Sequence, residues 1–170
     1  MNLVNGSYAT IPALSDLLPN VSADLIDETV FNTGFCISTT FKAEESVDST
    51  ETILSLGTYE NDDLKSGFEI TLNKARVKIA GASEATVDLP IGELITLDLN
   101  VNPTIVNTDT GEQELVYFII YLNGVMSSCS RVLKKDIDWF FGTPLYLGCR
   151  NDLTHQSIVK VFDTKIYTAP

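Results

Sequence analysis

The chain has 170 residues, of which 44% are hydrophobic and 20% charged. This is ordinary globular usage and excludes a disordered, collagenous or coiled-coil protein. Its 11 Lys and Arg stand against 23 Asp and Glu, a formal net charge of −12, so neither nucleic acid nor an anionic membrane surface is an expected partner.

Read in chain order, residues 1–29 form a less regular N-terminal segment, with a helical turn or two expected over Leu14 to Leu18. Phe35 to Phe41 then alternates with period two, setting Phe35, Ile37 and Phe41 on one face and Cys36, Ser38 and Thr40 on the other. Thr52 to Gly57 is a second strand, broken at its glycine. Tyr59 to Asp63 reads as a polar loop, and Gly67 to Asn73 as a strand with Phe68, Ile70 and Leu72 inward. Arg76 to Ala80 places Val77 and Ile79 inward. Leu94 to Val101 opposes Ile95, Leu97, Leu99 and Val101 to Thr96, Asp98 and Asn100. These segments are rich in β-branched and aromatic residues.

Ala43 to Ser49 and Asn107 to Glu114 read as acidic, polar loops. Leu115 to Leu122 is apolar on both faces, and Asn123-Gly124 follows it as a hairpin turn, because a type I′ turn needs positive φ at both central residues. Arg131 to Ile137 is expected to hold a short helix capped by Ser130. Leu145 to Gly148 is a short strand. Ser157 to Tyr167 is the longest expected strand, with a bulge, because neither parity is cleanly apolar. About eleven strands with little helix define an all-β chain: two antiparallel sheets packed face to face, a sandwich or jelly roll, in one domain over residues 1–170.

The cysteines are Cys36, Cys129 and Cys149, an odd number with no C-x-x-C and a single histidine, His155. Neither a zinc site nor a disulfide framework is expected from them. Three reduced thiols fit folding in a reducing compartment. Met1 to Thr10 shows no secretory n- or h-region, and no apolar run approaches the length of a membrane helix.

The order of segments resembles the concanavalin A-like lectin and laminin-G-like jelly rolls. The residues that carry the resemblance are F-C-I-S-T-T-F at 35–41, I-L-S-L-G at 53–57, G-F-E-I-T-L at 67–72, F-I-I-Y-L-N-G-V at 118–125, L-Y-L-G at 145–148 and V-F-D-T-K-I-Y at 161–167. The resemblance spans roughly residues 30 to 168 and implies a concanavalin A-like sandwich. It also implies a structural Ca²⁺ held by Asp163 with backbone carbonyls near the first strand, although Asp163 serves equally as the cap of a neighbouring turn. Function is left open by this superfold, which hosts lectins, carbohydrate-binding modules, glycosidases and protein-binding modules.

An enzyme of that jelly-roll class carries its carboxylates as E-x-D-x-x-E on one strand, and no such string is present. Asp136-Ile137-Asp138 is the nearest spacing. No G-x-S-x-G, G-x-x-x-x-G-K-[ST] or G-x-G-x-x-G occurs. No catalysis is expected.

Sugar binding needs an aromatic or apolar platform for C–H faces and polar groups for hydroxyls. If Phe118 and Ile120 face the core, Tyr117 and Tyr121 face outward, about 14 Å apart at ~3.4 Å per residue. The alternative is that they only cover the sheet. Trp139, the single tryptophan, is a stacking residue or an anchor for its loop. Arg150, Asn151 and Asp152 are a hydroxyl-reading set or ordinary turn chemistry. Tyr59 heads the polar loop Tyr59 to Asp63, whose oxygens suit Ca²⁺ or solvent. The sequence expectation is therefore a non-catalytic, lectin-like module for a cell-surface or cell-wall saccharide, within a larger surface or phage-tail adhesion protein, extracellular or on a virion. The other reading is a structural jelly roll that packs against neighbouring subunits, which the doubly apolar Leu115 to Leu122 favours.

Overall fold

A computed structural model describes residues 2–3, 8–11, 34–43, 51–78, 84–133, 144–150, 152–156 and 159–168. The strands are β1 (Asn2–Leu3), β2 (Ala9–Ile11), β3 (Phe35–Ala43), β4 (Thr52–Glu60), β5 (Asp63–Thr71) and β6 (Lys74–Lys78). They continue with β7 (Ala85–Asp88), β8 (Leu94–Thr108), β9 (Gly111–Leu122), β10 (Val125–Leu133), β11 (Leu145–Leu147) and β12 (Val159–Thr168). Two antiparallel six-stranded sheets result. Sheet I runs β1-β12-β3-β8-β9-β10 and sheet II runs β2-β11-β4-β5-β6-β7. The chain is an all-β sandwich. Among the described residues, no helix is long and apolar enough to cross a membrane.

Alternation decides which side chains meet between the sheets. From sheet I come Ile37, Phe41, Ile95, Leu97, Leu99, Val101, Val116, Phe118 and Ile120; from sheet II come Leu54, Leu56, Phe68, Ile70, Val77, Val87, Leu145 and Leu147. Each aliphatic or aromatic side chain so buried is worth roughly 1.5–3 kcal/mol. The apolar faces read for β3, β5 and β8 are the buried ones, and on β9, where both faces are apolar, Phe118 and Ile120 are the buried pair. Asn123 and Gly124 close the β9–β10 hairpin with φ of 50° and 79°, the two positive values the turn requires. The turn is also tied to β8, where Thr96 N–H donates to Asn123 Oδ1 at 2.8 Å. A register shift between Val161 and Asp163 confirms the bulge in the last strand.

Several expected boundaries move. β4 does not stop at Gly57, and Tyr59 to Asp63 is not an open loop: the strands continue to Glu60 and from Asp63, joined by Asn61 and Asp62 at φ of 51° and 62°. Gly57 and Gly67 pair across these strands. A Cβ on Gly67, at φ +131°, would lie 2.2 Å from the Leu56 carbonyl oxygen, so the close approach requires glycine. Asn107 to Glu114 is likewise mostly strand, with β8 and β9 paired up to Thr108 and Gly111. This makes β8, at 15 residues, longer than the ten-residue β12 that was expected to lead.

Arg131 to Leu133 extends β10 rather than starting a helix. Val132 pairs with Val116 and is buried, so sheet pairing overrides the local helix signal there. Residues 134–137 and Leu14 to Leu18 lie outside the described residues.

Candidate functional site

The two outer faces of the sandwich differ in chemistry. On sheet I, period two and the observed register line up outward rows. Ser38 pairs with Asp98, and Asp98 with Tyr121; Cys36 pairs with Asn100, Asn100 with Ile119, and Ile119 with Cys129. Asn102 pairs with Tyr117, and Tyr117 with Arg131. Neighbouring strands lie about 4.8 Å apart, so each row brings its side chains side by side. Ser38 Oγ donates to Asp98 Oδ1, and the hydroxyls of Thr40 and Thr96 bond at 3.0 Å. Tyr117, Ile119 and Tyr121 are half-buried, while Arg131 is exposed. Two phenols thus bracket an aliphatic side chain, with a carboxylate beside one ring and a guanidinium beside the other. The tyrosine rings and Ile119 offer apolar surface; Asp98 and Asn100 offer acceptor and donor atoms for hydroxyls.

On sheet II the outward side chains close on one another. Glu69 on β5 is fully buried, and so is Arg150 just after β11. Arg150 Nε donates to Glu69 Oε1 at 2.9 Å and Thr52 Oγ1 to the same oxygen at 3.1 Å. Arg76 on β6 donates to Glu69 Oε2 through Nη2 at 2.9 Å and Nε at 3.3 Å. An ionised carboxylate has about four acceptor sites, so Glu69 has none left over for a ligand. Burying it is tolerated because two guanidiniums surround it.

The Arg150 guanidinium also lies 4.3 Å from the centroid of the Tyr59 ring, a cation–π contact. The Tyr59 and Ser55 hydroxyls bond at 2.7 Å. Burial first, and then the Glu69 charge, push the Tyr59 phenol well above its ordinary range. At the rim, the hairpin tip is clasped to the loop after β11. The His155 Nε2–H donates to Asp62 Oδ1 at 3.2 Å, and Arg150 Nη1 lies 3.6 Å from the same oxygen. Asp63 pairs with Lys78 at 3.0 Å and Arg76 at 3.4 Å; the Lys78 hydrogen bond holds its carboxyl below the usual carboxylate range.

Among the described residues, the expected ligand residues lie on different faces of the sandwich. Tyr117 and Tyr121 share the outer face of sheet I. Tyr59 and Arg150 are locked into the network of sheet II, facing the opposite way. Asp152 is exposed and closes a turn, its Oδ1 accepting from Thr154 N–H at 3.0 Å and Thr154 Oγ1 at 2.6 Å. Burial opposes the Asp152 charge, yet those two bonds outweigh it and lower its pKa. Trp139 and Asn151 lie outside the described residues.

Asp163 sits at the β12 bulge with its carboxylate on Lys165 and its carbonyl accepting from Thr39 Oγ1 at 3.2 Å. Calcium takes about six to eight oxygens. Among the described residues, no group of three or more His, Cys, Asp or Glu gathers anywhere to supply them.

Reading the sequence alone overlooked Glu69 and Arg76, and also Asn102 and Arg131 on sheet I. Their parity was legible; the strands that pair with them were not. The chain is a β-sandwich in which, among the described residues, the outer face of sheet II holds a hydrogen-bonded network around Glu69, while that of sheet I carries half-buried Tyr117, Ile119 and Tyr121 with exposed Arg131 at its edge. Comparison of the chain with family models and with curated proteins finds no match to either.

Proposed function

We propose that the chain is a non-catalytic carbohydrate-binding module that takes a cell-surface or cell-wall saccharide on the outer face of sheet I. The observation that carries this reading is the pairing of Tyr121 with Asp98 and of Tyr117 with both Asn102 and Arg131 on that one face. The rings suit the C–H faces of pyranoses, and the flanking carboxylate, amide and guanidinium suit their hydroxyls. The span of about 14 Å between the tyrosine positions fits an oligosaccharide better than a single ring. The saturation of Glu69 argues against a carboxylate-driven hydrolase on the other face. The resemblance of the strand motifs to concanavalin A-like jelly rolls is compatible with this reading, since lectins and carbohydrate-binding modules are among the functions that superfold hosts. The module belongs, on this reading, to a larger adhesion protein exposed outside the cell or on a virion such as a phage tail.

A glycan-array screen in Ca²⁺ and again in EDTA tests the proposal. Binding to a defined saccharide is expected, and silence in both conditions overturns it. Loss of binding in EDTA alone would bring calcium, with Asp163 as its first ligand, into the site.

A specific observation favours a second reading, a structural jelly roll that packs against neighbouring subunits. Leu94, Met126 and Phe162 are 57%, 62% and 61% exposed. All three lie toward one end of sheet I, near the β9–β10 turn and the β12 bulge. Sedimentation velocity over a wide concentration range separates the two readings. A constant monomer without saccharide supports the first; assembly through these residues supports the second.

A further inference from the structure

A strand at the margin of a sheet presents a row of unpaired N–H and C=O groups on which another chain can pair, and folds blunt such margins with short strands, charges, proline or bulges. In this sandwich the marginal strands are β1, β2, β7 and β10, of two, three, four and nine residues. Three of these margins are blunted by shortness. β10 is not: it holds no proline, lysine or carboxylate, and its one charge is Arg131. The bulge between Met126 and Ser128 bends only the end next to the turn and leaves Ser128 to Leu133 in register with β9.

The two-residue turn fixes which backbone groups of β10 face β9. Leu122 and Val125 close it as a hydrogen-bonded pair, so Ile120, Phe118 and Val116 also face β10, where they meet Ser128, Ser130 and Val132. The intervening Cys129, Arg131 and Leu133 direct their N–H and C=O groups away from β9, toward the open margin. All three residues are exposed, and among the described residues no backbone hydrogen bond is made to them from that side.

The side chains indicate the occupant. Apolar Val125-Met126 and Val132-Leu133 flank a small, polar centre, Ser127 to Arg131, so β10 has nearly the same pattern in either direction about Cys129. Val125, Met126 and Leu133 are exposed. Laid antiparallel on itself about a twofold axis at Cys129, the strand sets Leu133 beside the partner's Val125 and the partner's Met126. Arg131 then meets the partner's Ser127 rather than a second arginine. Because β10 carries no carboxylate, the net charge of −12 is kept off this strand pair.

We propose that β10 is a docking edge for a second copy of this chain, the two β10 strands pairing antiparallel so that sheet I runs unbroken through a twofold dimer. The axis stands perpendicular to the joined sheet, so the outer faces of both copies of sheet I look the same way. The inference concerns an edge rather than the face that carries Tyr117 and Tyr121, and it stands apart from both readings of that face. With saccharide bound there, the dimer presents two platforms to one surface, an arrangement that raises avidity without new contacts.

Sedimentation velocity of the full chain over a wide concentration range, with cross-linking by a short bis-maleimide, tests the proposal. The wild type is expected to dimerise as its concentration rises and to be linked through Cys129. Directly opposed strand residues bring their Cβ atoms to about 5 Å, and Cys36 and Cys149 are buried. Cys129→Lys, at an exposed position, puts two ammoniums on the axis and is expected to abolish the dimer, with thermal unfolding unchanged from the wild-type monomer. Arg131→Pro, which removes a margin N–H but no bond to β9, is expected to give the same loss. Cys129→Ser is expected to keep the dimer and lose the link, and Leu94→Ser/Phe162→Ser to keep both.

A wild type that stays monomeric at every concentration overturns the inference and leaves the carbohydrate reading standing. A dimer that persists in Cys129→Lys and Arg131→Pro also overturns it, and loss of that dimer in Leu94→Ser/Phe162→Ser assigns assembly to the apolar end of sheet I instead.

Discussion

The outer faces of sheets I and II are both rich in polar side chains, yet one is finished and the other is not. On sheet II, Glu69 receives four donor hydrogen bonds from Thr52, Arg76 and Arg150, and Arg150 stacks on Tyr59. Each of these groups has its partners within the chain. On sheet I, the rings of Tyr117 and Tyr121 lie half-exposed between Asp98, Asn102 and Arg131. Equal polarity therefore does not mean equal availability: a saturated network stabilises a fold, and an unsaturated row is where a ligand finds contacts.

The contrast is broken most forcefully by removing its keystone. Glu69→Ala leaves two guanidiniums without their shared carboxylate, one of them buried, and is expected to destabilise the chain by about 3–5 kcal/mol in urea unfolding. Gly67→Ala, which forces a Cβ onto the Leu56 carbonyl oxygen at positive φ, is expected to lower stability by about 2–3 kcal/mol in the same assay. In contrast, Tyr121→Ala on sheet I is expected to leave stability within about 1 kcal/mol of wild type, because the ring is half-exposed. Its effect falls on binding, with saccharide affinity lower by about tenfold.

Smaller effects sharpen the comparison. Because the Asp63 carboxyl is depressed by Lys78, its contribution is fully present above the unfolded value of 3.8 and is lost as pH falls through the lower folded value. The pair is substantially exposed, so less than about 1 kcal/mol is involved. In Lys78→Met, thermal unfolding between pH 5 and about 2 is expected to show a shallower acid loss than in wild type. Thiol chemistry gives the mildest test. Burial, and then the Asp152 charge, push the Cys149 thiol up to about 11. Cys129 is exposed on the face of sheet I. Iodoacetamide at mildly alkaline pH is expected to modify Cys129 first and to leave Cys149 intact until the chain unfolds, as read by peptide mass spectrometry.

Much of this fold was legible before any coordinates. Period two grouped Phe35, Ile37 and Phe41, and Ile95, Leu97, Leu99 and Val101, on single faces that are the core faces, because a strand side chain has only two directions to point; on the doubly apolar β9 it left the choice open, and Phe118 and Ile120 are the inward set. Asn123-Gly124 announced its own turn, and the mixed parity around Phe162 its bulge.

The boundaries that moved did so where polar residues sit in strands. Tyr59 to Glu60 and Gly111 to Glu114 are held by pairing with a neighbour rather than by apolar pattern. The sealed network was less legible still. Alternation puts Glu69 outward, and outward usually means wet. Its burial depends on Arg150, 81 residues away, and pattern reading does not reach across that distance. Tyr59 and Arg150, chosen as ligand residues for their chemistry, meet each other and Glu69 through the same long-range pairing.

The central claim is that recognition occurs on sheet I and that sheet II is structural. Its most direct test is a calorimetric titration of the saccharide found by the array into three proteins: wild type, Tyr117→Ala/Tyr121→Ala, and Tyr59→Phe. The account predicts that the double alanine variant folds and loses binding while Tyr59→Phe binds as the wild type does. Full affinity in the double alanine variant, or loss of binding in a folded Tyr59→Phe, would contradict it.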